Sequence, residues 1–259
     1  MVNIVKIGGN VIDNPEKLKT FLGEFSQIKG PKILIHGGGK IATKIAKDLG
    51  IESKMVEGRR ITDEAMRDVV TMVYGGLVNK QIVARLQANN CNAIGLTGAD
   101  GKSILAQKRP IKTIDYGFVG DILEVNAAFI KSLLDADIVP VFAPLTFDMD
   151  GDILNTNADT QASAVAVGLS ALSQVNLVYC FEKKGVLSNP EDEDSVIREL
   201  NPENYESFKS QGVIYEGMIP KLDNAFSALK SGVSQVTICH ADQLQMALET
   251  GNAGTKITL

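Results

Sequence analysis

Residues 32–40 are Lys-Ile-Leu-Ile-His-Gly-Gly-Gly-Lys, an apolar run that breaks into three glycines, and helical spacing follows from Ile41 to Leu49. The apolar run predicts a buried strand that ends at His36 and turns directly into a helix. The first N–H groups of a helix point outward at the positive end of its dipole, and glycine lets an anion approach them closely. The segment therefore predicts either an anion site or a tight turn without a ligand.

A second glycine turn precedes this one. The apolar run that begins at Val2 leads into Gly8 and Gly9, and an amphipathic helix predicted over residues 15–28 separates the two strands. Because the carboxyl ends of parallel strands share one edge, both turns are expected where α/β proteins bind ligands. Lys6 lies inside the first strand, which indicates either an anionic ligand or an ion pair with a neighbouring carboxylate.

Composition and charge exclude several classes of function. The 259 residues are 44% hydrophobic and 22% charged, which is typical of a globular protein with one large domain or two packed lobes. The net charge of −5 favours neither nucleic acid nor an anionic membrane as a partner. No apolar run reaches the roughly 18 residues of a membrane span, and no leader precedes Val2, so a cytoplasmic protein is expected. Reduced core thiols and no metal site are expected from Cys91, Cys180 and Cys239.

A long helix is predicted over residues 63–88, with Thr62 as a favourable N-cap. Apolar residues occupy more positions along this helix than a single buried face requires. Gly75 and Gly76 in its middle permit the close approach of another helix. The extra apolar positions predict a homodimer interface, with full burial of the helix as the alternative.

Two later segments place polar residues next to helices. The first contains Asn155, Asn157 and Asp159, and helix capping accounts comfortably for only one of these residues. The two amides suit a carboxylate or amide ligand, and the carboxylate suits the orientation of lysines. Lys221 lies in the first turn of a later helix, where a cation is unfavourable unless an anion lies opposite. Lys221 is therefore a candidate phosphate contact.

Motifs of other protein classes are incomplete. Five residues separate Gly95 from Gly101 where a P-loop has four, and the pattern after them predicts an Asp-Gly turn and a β-hairpin instead of a helix. The acidic segment 148–159 lacks the spacing of an EF-hand. The esterase elbow Gly-x-Ser-x-Gly is absent, as is Gly-x-Gly-x-x-Gly after the first strand. A hydrolase and a dinucleotide-dependent oxidoreductase are therefore both disfavoured.

Six motifs in order along the chain resemble the acylglutamate branch of the amino acid kinase family. They are Lys6-Ile7-Gly8-Gly9, His36-Gly37-Gly38-Gly39, Gly58-Arg59-Arg60-Ile61-Thr62-Asp63, Asn155-Thr156-Asn157-Ala158-Asp159, Gly217-Met218 with Lys221, and Gly254-Thr255-Lys256-Ile257. The resemblance implies an α/β fold, a three-layer αβα sandwich with a mainly parallel open sheet. It also implies an acylglutamate-binding lobe with the dimer interface over residues 1–173 and an ATP-binding lobe over residues 174–259.

The resemblance implies an activity as well. It is ATP-dependent phosphorylation of the γ-carboxylate of an N-acyl-L-glutamate, with N-acetyl-L-glutamate as the first candidate, in the second step of arginine biosynthesis. Lys6 and Lys221 are then expected to stabilise the transferring phosphoryl group, and Asp159 to orient them. Phosphoryl transfer needs such cations, oriented N–H groups and Mg²⁺ on the ATP phosphates. Other family members that act on carbamate, glutamate, aspartate or UMP remain alternatives, as does a regulatory binder that has lost catalysis.

The remaining implied roles concern binding. Backbone N–H groups of Gly8-Gly9 and Gly37-Gly38 are expected to contact the phosphoryl oxygens, and the second pair also the substrate. Arg60 is expected to bind a substrate carboxylate as a fork, Asn155 to hold the acylated core, and Asn157 to contact the substrate. The expected nucleotide contacts are Glu182, Lys183, Lys184, Gly185, Val186, Leu187, Val213, Ile214, Tyr215 and Met218.

Three features depart from the family pattern. Phe181-Glu182 stands where a Thr/Ser-Asp pair is usual, which leaves the details of adenine and ribose binding open. Arg59 stands where leucine is common, and it indicates either an acyl group with an acidic end, such as succinyl, or a side chain in solvent. Arginine-inhibited relatives resemble one another in an additional amino-terminal helix, and none fits before Val2. An arginine-insensitive dimer is therefore expected.

Overall fold

The structure is a computed structural model that describes residues 1–56, 58–214 and 218–259. Tyr215 and Gly217, both singled out above, lie outside these ranges. The strands are β1 (Val2–Ile7), β2 (Lys32–His36), β3 (Met55–Val56), β4 (Arg59–Arg60), β5 (Ala93–Leu96), β6 (Ile104–Lys108), β7 (Gly120–Val125), β8 (Val139–Phe142), β9 (Leu145–Phe147), β10 (Ile153–Asn155), β11 (Val175–Phe181), β12 (Glu199–Leu200), β13 (Gln235–His240) and β14 (Thr255–Ile257). The helices are α1 (Gly9–Ile12), α2 (Pro15–Gln27), α3 (Gly39–Asp48), α4 (Glu64–Val70), α5 (Asn79–Ala88), α6 (Ala127–Asp135), α7 (Ala158–Ser170), α8 (Pro202–Ser210), α9 (Ile219–Lys230) and α10 (Leu244–Glu249).

An eight-stranded sheet forms the middle layer, in the order β12-β14-β13-β11-β1-β2-β8-β5. The strands from β13 to β5 run parallel to their neighbours, and β14 is antiparallel to β13. β1 therefore lies in the centre, between β11 and β2. Ile7 and His36 end β1 and β2 in register, so both glycine turns leave the sheet at the same edge, as predicted.

Hydrophobic clusters cover both faces of this sheet. Val5 and Ile7 of β1 belong to the cluster under α2, α3, α4, α5 and α10, whereas Ile4 belongs to the cluster under α6, α7, α8 and α9. Strands that are buried on both faces need apolar residues at successive positions, which explains the continuous apolar runs of the sequence. The fold is the three-layer αβα sandwich with a mainly parallel open sheet that the motifs implied.

The segment predicted as one helix over residues 63–88 comprises α4, a π-helical stretch (Thr71–Val78) and α5. The expectation that Thr62 is its N-cap is wrong. The Asp63 carboxylate accepts a hydrogen bond from the Met66 N–H at 2.9 Å and caps α4. Thr62 is fully buried, and its backbone pairs with the β-hairpin segment instead.

A second sheet, β10-β9-β6-β7, flanks the edge that carries the glycine turns. Asp100–Lys102 forms a single 3₁₀ turn and leads into β6, which pairs antiparallel with β7. The hairpin predicted in place of a P-loop is therefore present. This sheet also delivers Asn155, at the end of β10, to the candidate site.

The cysteines are buried and unbonded, as predicted. Cys180 and Cys239 face each other on β11 and β13 with their Sγ atoms 3.9 Å apart. Within the described ranges no group of His, Cys, Asp and Glu side chains is arranged to hold a metal ion. In the same ranges, no helix combines the length and the apolar character needed to cross a bilayer.

Candidate active site

The ammonium groups of Lys6 and Lys221 converge on the carboxylate of Asp159 at the carboxyl edge of the main sheet. Lys6 Nζ lies 2.6 Å from Asp159 Oδ1, and Lys221 Nζ lies 3.4 Å from Asp159 Oδ2. The central strand β1 carries Lys6, while Asp159 and Lys221 lie in the first turns of α7 and α9. Three segments far apart in the sequence thus build one charged cluster.

The cluster has an excess of positive charge in a poorly hydrated place. The side chains of Lys6, Asp159 and Lys221 are only 7%, 13% and 28% exposed. Burial raises the pKa of Asp159, but the neighbouring Lys6 and Lys221 outweigh it and hold the pKa below its usual value. Burial lowers the pKa of Lys221, and Asp159 opposes that effect. One carboxylate against two ammonium groups leaves about one unit of positive charge, which favours an anionic ligand beside them.

The two glycine turns pack against each other next to this cluster. The Gly37 N–H donates to the Ile7 carbonyl at 3.1 Å, which fixes the second turn to the end of β1. Gly38 has φ = 149°, and a Cβ there would lie 3.1 Å from the ring of Tyr74, so a side chain is excluded. A Cβ on Gly8 would lie 3.9 Å from Lys6 Nζ. The backbone of the first turn is therefore close to Lys6, and a Cβ on Gly37 would lie 3.7 Å from the Gly9 nitrogen, so the second turn packs directly on the first.

The buried imidazole of His36 forms a hydrogen bond with the second glycine turn. His36 Nδ1 donates to the Gly37 carbonyl at 2.7 Å, and Nε2 accepts from the Asn79 amide at 3.1 Å. Asn79 also donates to the Val141 carbonyl at 2.9 Å, which joins α5, β8 and the turn. Burial lowers the pKa of His36 to about 4, so the ring is neutral. Asn79 was not predicted as a site residue, and its one signal is a polar residue directly after the apolar stretch Thr71–Val78.

Acid should destabilise the protein through His36. Because the folded-state pKa of about 4 lies below the ordinary 6.5, the unfolded chain binds more protons between these values. The free energy of unfolding should therefore fall as the pH drops from 6.5 towards 4, by on the order of 3 kcal/mol at most. Urea unfolding followed by circular dichroism at pH 7 and pH 4.5 measures the loss.

Two single variants provide the comparison. His36→Asn should show a smaller difference in unfolding free energy between the two pH values. His240→Asn replaces the other histidine of the chain, which lies at the end of β13, and serves as the matched control. Equal pH dependence in the wild type and His36→Asn would contradict the argument.

A polar cleft of about 200 Å³ opens on one side of the cluster. The substrate contacts expected from the sequence all line it: Gly37, Gly38, Arg60, Asn155 and Asn157. The buried guanidinium of Arg60 donates to the Gly39 carbonyl at 2.9 Å, to Thr43 Oγ1 at 3.0 Å and to Ser53 Oγ. These bonds hold the Arg60 guanidinium in one orientation beside the second glycine turn.

The asparagines of the cleft are held in different ways. Asn157 caps α7, because its Oδ1 accepts from the N–H groups of Asp159 at 2.9 Å and Thr160 at 3.0 Å. The helix therefore begins at Ala158. Asn155 donates to Thr62 Oγ1 at 3.0 Å and has no capping role. Capping thus accounts for Asn157 but not for Asn155.

Two further cavities lie at the cluster, and Lys6 and Lys221 line one of them. The cation cavity, of about 370 Å³, is lined by Lys6, Gly8, Gly9, Asn10, Val11, Gly39, Lys40, Cys180, Phe181, Glu182, Lys183, Met218 and Lys221. The apolar cavity, of about 240 Å³, is lined by Lys183, Gly185, Val186, Leu187, Pro190, Glu191, Ile214 and Met218. Lys183 and Met218 line both, so the two cavities adjoin. Most of the nucleotide contacts expected from the sequence thus surround one continuous space.

Two of the expected nucleotide contacts lie outside this space. Lys184 pairs with Asp194 at 2.6 Å and, like Val213, lines neither cavity. Conversely, Asn10 and Lys40 line the cation cavity although the sequence analysis assigned them no role. Lys40 Nζ donates to Asn10 Oδ1 at 2.6 Å. Their signal in the sequence is their position directly after the two glycine turns.

Comparisons with known proteins agree with this architecture. The sequence profile of the amino acid kinase family matches residues 1–240. The acetylglutamate kinase of Cytophaga hutchinsonii is 59% identical over 98% of this chain and 97% of its own length. That of Phocaeicola vulgatus is 57% identical over 94% and 95%. The structure of carbamate kinase from Giardia lamblia bound to AMP-PNP shares the fold, with a TM-score of 0.70 and 17% identity over 99% of this chain and 97% of that one.

Fold and site together define an α/β protein in which ammonium groups and glycine turns gather at one edge of a mainly parallel sheet. The chain belongs to the amino acid kinase family.

Proposed function

We propose that the protein transfers the γ-phosphoryl group of ATP to the γ-carboxylate of an N-acyl-L-glutamate, with N-acetyl-L-glutamate as the acceptor. The observation that carries the proposal is the cluster of Lys6, Lys221 and Asp159, with a cavity that both lysines line and a polar cleft that Asn157 and Ala158, directly before Asp159, line. A phosphoryl group in transfer carries negative charge that such a cluster stabilises. The nearly full-length likeness to proteins named acetylglutamate kinase supports the choice of acceptor.

The reaction needs no base. A γ-carboxylate oxygen attacks the γ-phosphorus while the bond from that phosphorus to the bridging oxygen of ADP breaks, which gives an acyl phosphate and ADP. Lys6 and Lys221 neutralise the charge on the moving phosphoryl oxygens, and Asp159 keeps both ammonium groups directed at them. The N–H groups of Gly9, Gly37 and Gly38 bind the same oxygens. The acceptor is already ionised, so no proton has to be removed from it.

The acceptor and the nucleotide bind in different cavities near the cluster. Arg60, Asn155 and Asn157 bind the acylglutamate in the polar cleft, which assigns residues 1–173 to the acceptor lobe. The cavities lined by Glu182, Lys183, Gly185, Val186, Leu187, Ile214 and Met218 bind the nucleotide, which assigns residues 174–259 to the ATP lobe. Lys184, Val213 and Tyr215 belong to the same proposed nucleotide segment.

Mg²⁺ fits this scheme as the companion of the nucleotide. Two ammonium groups already occupy the Asp159 carboxylate, and the described residues hold no other cluster of metal ligands. The ATP phosphates and water would be the ion's ligands. When bound, it supplies further neutralisation of phosphate charge.

The long helical segment over residues 63–88 is proposed as a homodimer interface. Met72 and Leu77 on it are 57% and 43% exposed, although their neighbours Val73 and Val78 are buried. A second copy of the chain would cover these apolar side chains. Light scattering at micromolar concentration tests the dimer, and a monomer would contradict it.

The cytoplasm, where glutamate and ATP occur together, is the proposed compartment.

A coupled ADP-release assay tests the proposed activity. The panel contains N-acetyl-L-glutamate, N-succinyl-L-glutamate, glutamate, aspartate, carbamate and UMP. ADP should appear with an acylated glutamate, and hydroxylamine should trap the product as a hydroxamate, which distinguishes transfer from ATP hydrolysis. If glutamate, aspartate, carbamate or UMP gave a higher kcat/KM than both acylated glutamates, the assignment as an acylglutamate kinase would be rejected. A lack of turnover with every acceptor would indicate a regulatory binder.

Arg59 favours a second candidate acceptor, an acylglutamate whose acyl group ends in a carboxylate. Its side chain lines the polar cleft and also a neighbouring cavity with Arg109 and Lys112, and it forms no ion pair with any described residue. If Arg59 binds such a carboxylate, Arg59→Leu should lower kcat/KM for N-succinyl-L-glutamate by roughly 10- to 100-fold. The kcat/KM of Arg59→Leu for N-acetyl-L-glutamate should stay within about threefold of the wild-type value, because the acetyl group carries no charge that Arg59 could bind.

Two measurements decide between the acceptors. Equal changes for both substrates in Arg59→Leu would show that Arg59 contacts neither acyl group specifically. A higher wild-type kcat/KM for N-acetyl-L-glutamate than for N-succinyl-L-glutamate would dispose of the succinyl alternative.

A further inference from the structure

Phe181 places an aromatic ring beside both ammonium groups of the cluster. The ring centroid lies 3.9 Å from Lys221 Nζ and 5.3 Å from Lys6 Nζ. Its plane is within 2° of parallel to the ring of Tyr179, with the centroids 6.1 Å apart. Tyr179 and Phe181 project from the same face of β11, and Tyr179 is in register with Lys6 on β1. The sheet itself therefore fixes the ring next to the charged cluster.

The Phe181 ring attracts the ammonium groups without adding a negative charge, whereas a second carboxylate would add one. The face of an aromatic ring carries partial negative charge and attracts an ammonium group, most strongly where water is largely excluded. It carries no net charge, so it holds the lysines without cancelling the positive charge that an anionic ligand needs. Among the described residues Asp159 is the one carboxylate that forms an ion pair with these lysines, and a second carboxylate in contact with them would cancel the remaining positive charge.

We propose that Phe181 is a positioning residue whose ring holds Lys221, and with it Lys6, in the arrangement that phosphoryl transfer requires. This inference rests on the proposed function and deepens it. It also gives a physical role to a position where the sequence departs from the family pattern. The lysines act on the phosphoryl group, and Phe181 acts through the lysines.

The ring should also affect the pH at which Lys221 loses its proton. Lys221 pairs with Asp159 of α7, and the other charged groups that line its cavity are Lys6 of β1, Lys40 of α3, and Glu182 and Lys183 directly after β11. Burial lowers the pKa of Lys221, whereas Asp159 and Glu182 raise it. The ring adds a further attraction for the protonated form. Its removal should therefore shift the alkaline limb of the kcat profile to lower pH.

Three variants separate this role from packing. Phe181→Leu removes the ring but keeps an apolar side chain, Phe181→Tyr keeps the ring, and Phe129→Leu removes another half-buried ring far from the cluster. With acylglutamate and saturating ATP, Phe181→Leu should lower kcat about tenfold or more and move the alkaline limb down by about half a pH unit or more. Phe181→Tyr should keep kcat within about threefold and restore the limb. Phe129→Leu should leave the limb unchanged.

A measurement without turnover keeps the test independent of the proposed activity. In protein labelled with ¹³C-lysine, the Hε resonance of Lys221 should lie upfield of those of the other lysines because of the ring, and Lys221→Arg assigns it. Phe181→Leu should abolish the upfield shift, whereas Phe181→Tyr should retain it. If the wild type shows no kinase activity, the proposed function fails while this measurement still tests the contact. An unchanged alkaline limb or an unchanged Lys221 resonance in folded Phe181→Leu would overturn the inference.

Discussion

Lys6→Ala and Lys221→Ala should each lower kcat for acylglutamate phosphorylation by about 10²- to 10³-fold. Each ammonium group lies beside Asp159, where the proposed mechanism places the charge of the moving phosphoryl group. The barrier rises because this stabilisation is greatest in the transition state, so KM should change far less than kcat. Initial rates in the coupled ADP-release assay measure both constants.

A surface lysine provides the matched control. Lys131 lies on α6 and forms an exposed pair with Asp135 at 2.7 Å. Lys131→Ala should keep the wild-type kcat. Circular dichroism spectra of the variants establish that a loss of rate is not a loss of folding. If Lys6→Ala or Lys221→Ala retained more than a tenth of the wild-type rate, its assigned role would be rejected.

Asp159→Asn should reduce both activity and stability. It keeps the shape of the side chain but removes the negative charge that two largely buried ammonium groups share. Removal of one partner from a buried ion pair typically costs about 3 kcal/mol or more, because a charge is left without compensation. We expect a comparable loss in the free energy of unfolding and a fall in kcat of about 10²-fold. Urea unfolding at pH 7 and the ADP-release assay measure the two effects.

The stability loss should depend on pH in a defined direction. Because Lys6 and Lys221 hold the pKa of Asp159 below its usual 3.8, the ionised carboxylate stabilises the folded state above that value. The contribution is lost as the pH falls through the folded-state pKa, so wild type and Asp159→Asn should converge in strong acid. Asp135→Asn, in the exposed pair with Lys131, should cost less than about 1 kcal/mol at pH 7. Equal unfolding free energies for the wild type and Asp159→Asn at pH 7 would contradict the buried ion-pair argument.

Much of the architecture was predictable because its causes are local in the chain. Apolar runs that end in glycines predicted β1 and β2 and the edge at which their turns meet, and the structure confirms both. The β-hairpin after β5 was predictable from an Asp-Gly pair followed by a strand pattern. The N-cap at Asp63 was missed, since Thr62 and Asp63 are both good capping residues and only the pairing of the Thr62 backbone with the hairpin decides between them.

Long-range contacts in the candidate site were beyond sequence reasoning. Asn79 reaches His36 only because α5 crosses beneath the second glycine turn. Phe181 was visible as a departure from a family pattern, but its contact with Lys221 depends on how β11 and α9 are placed. Neither contact can be predicted from a periodicity or a residue spacing in the sequence.

Residue order alone thus decided which segments form strands, where glycines leave room for an anion, and which lysines lie in costly positions. Folding decided that Lys6 and Lys221 share one carboxylate, that an aromatic ring accompanies them, and that separate cavities open near them. The physical reason is that secondary structure depends on neighbours within a few positions, whereas the distance between β1, α7 and α9 depends on strand order, register and packing. Those properties belong to the whole core and to no single segment.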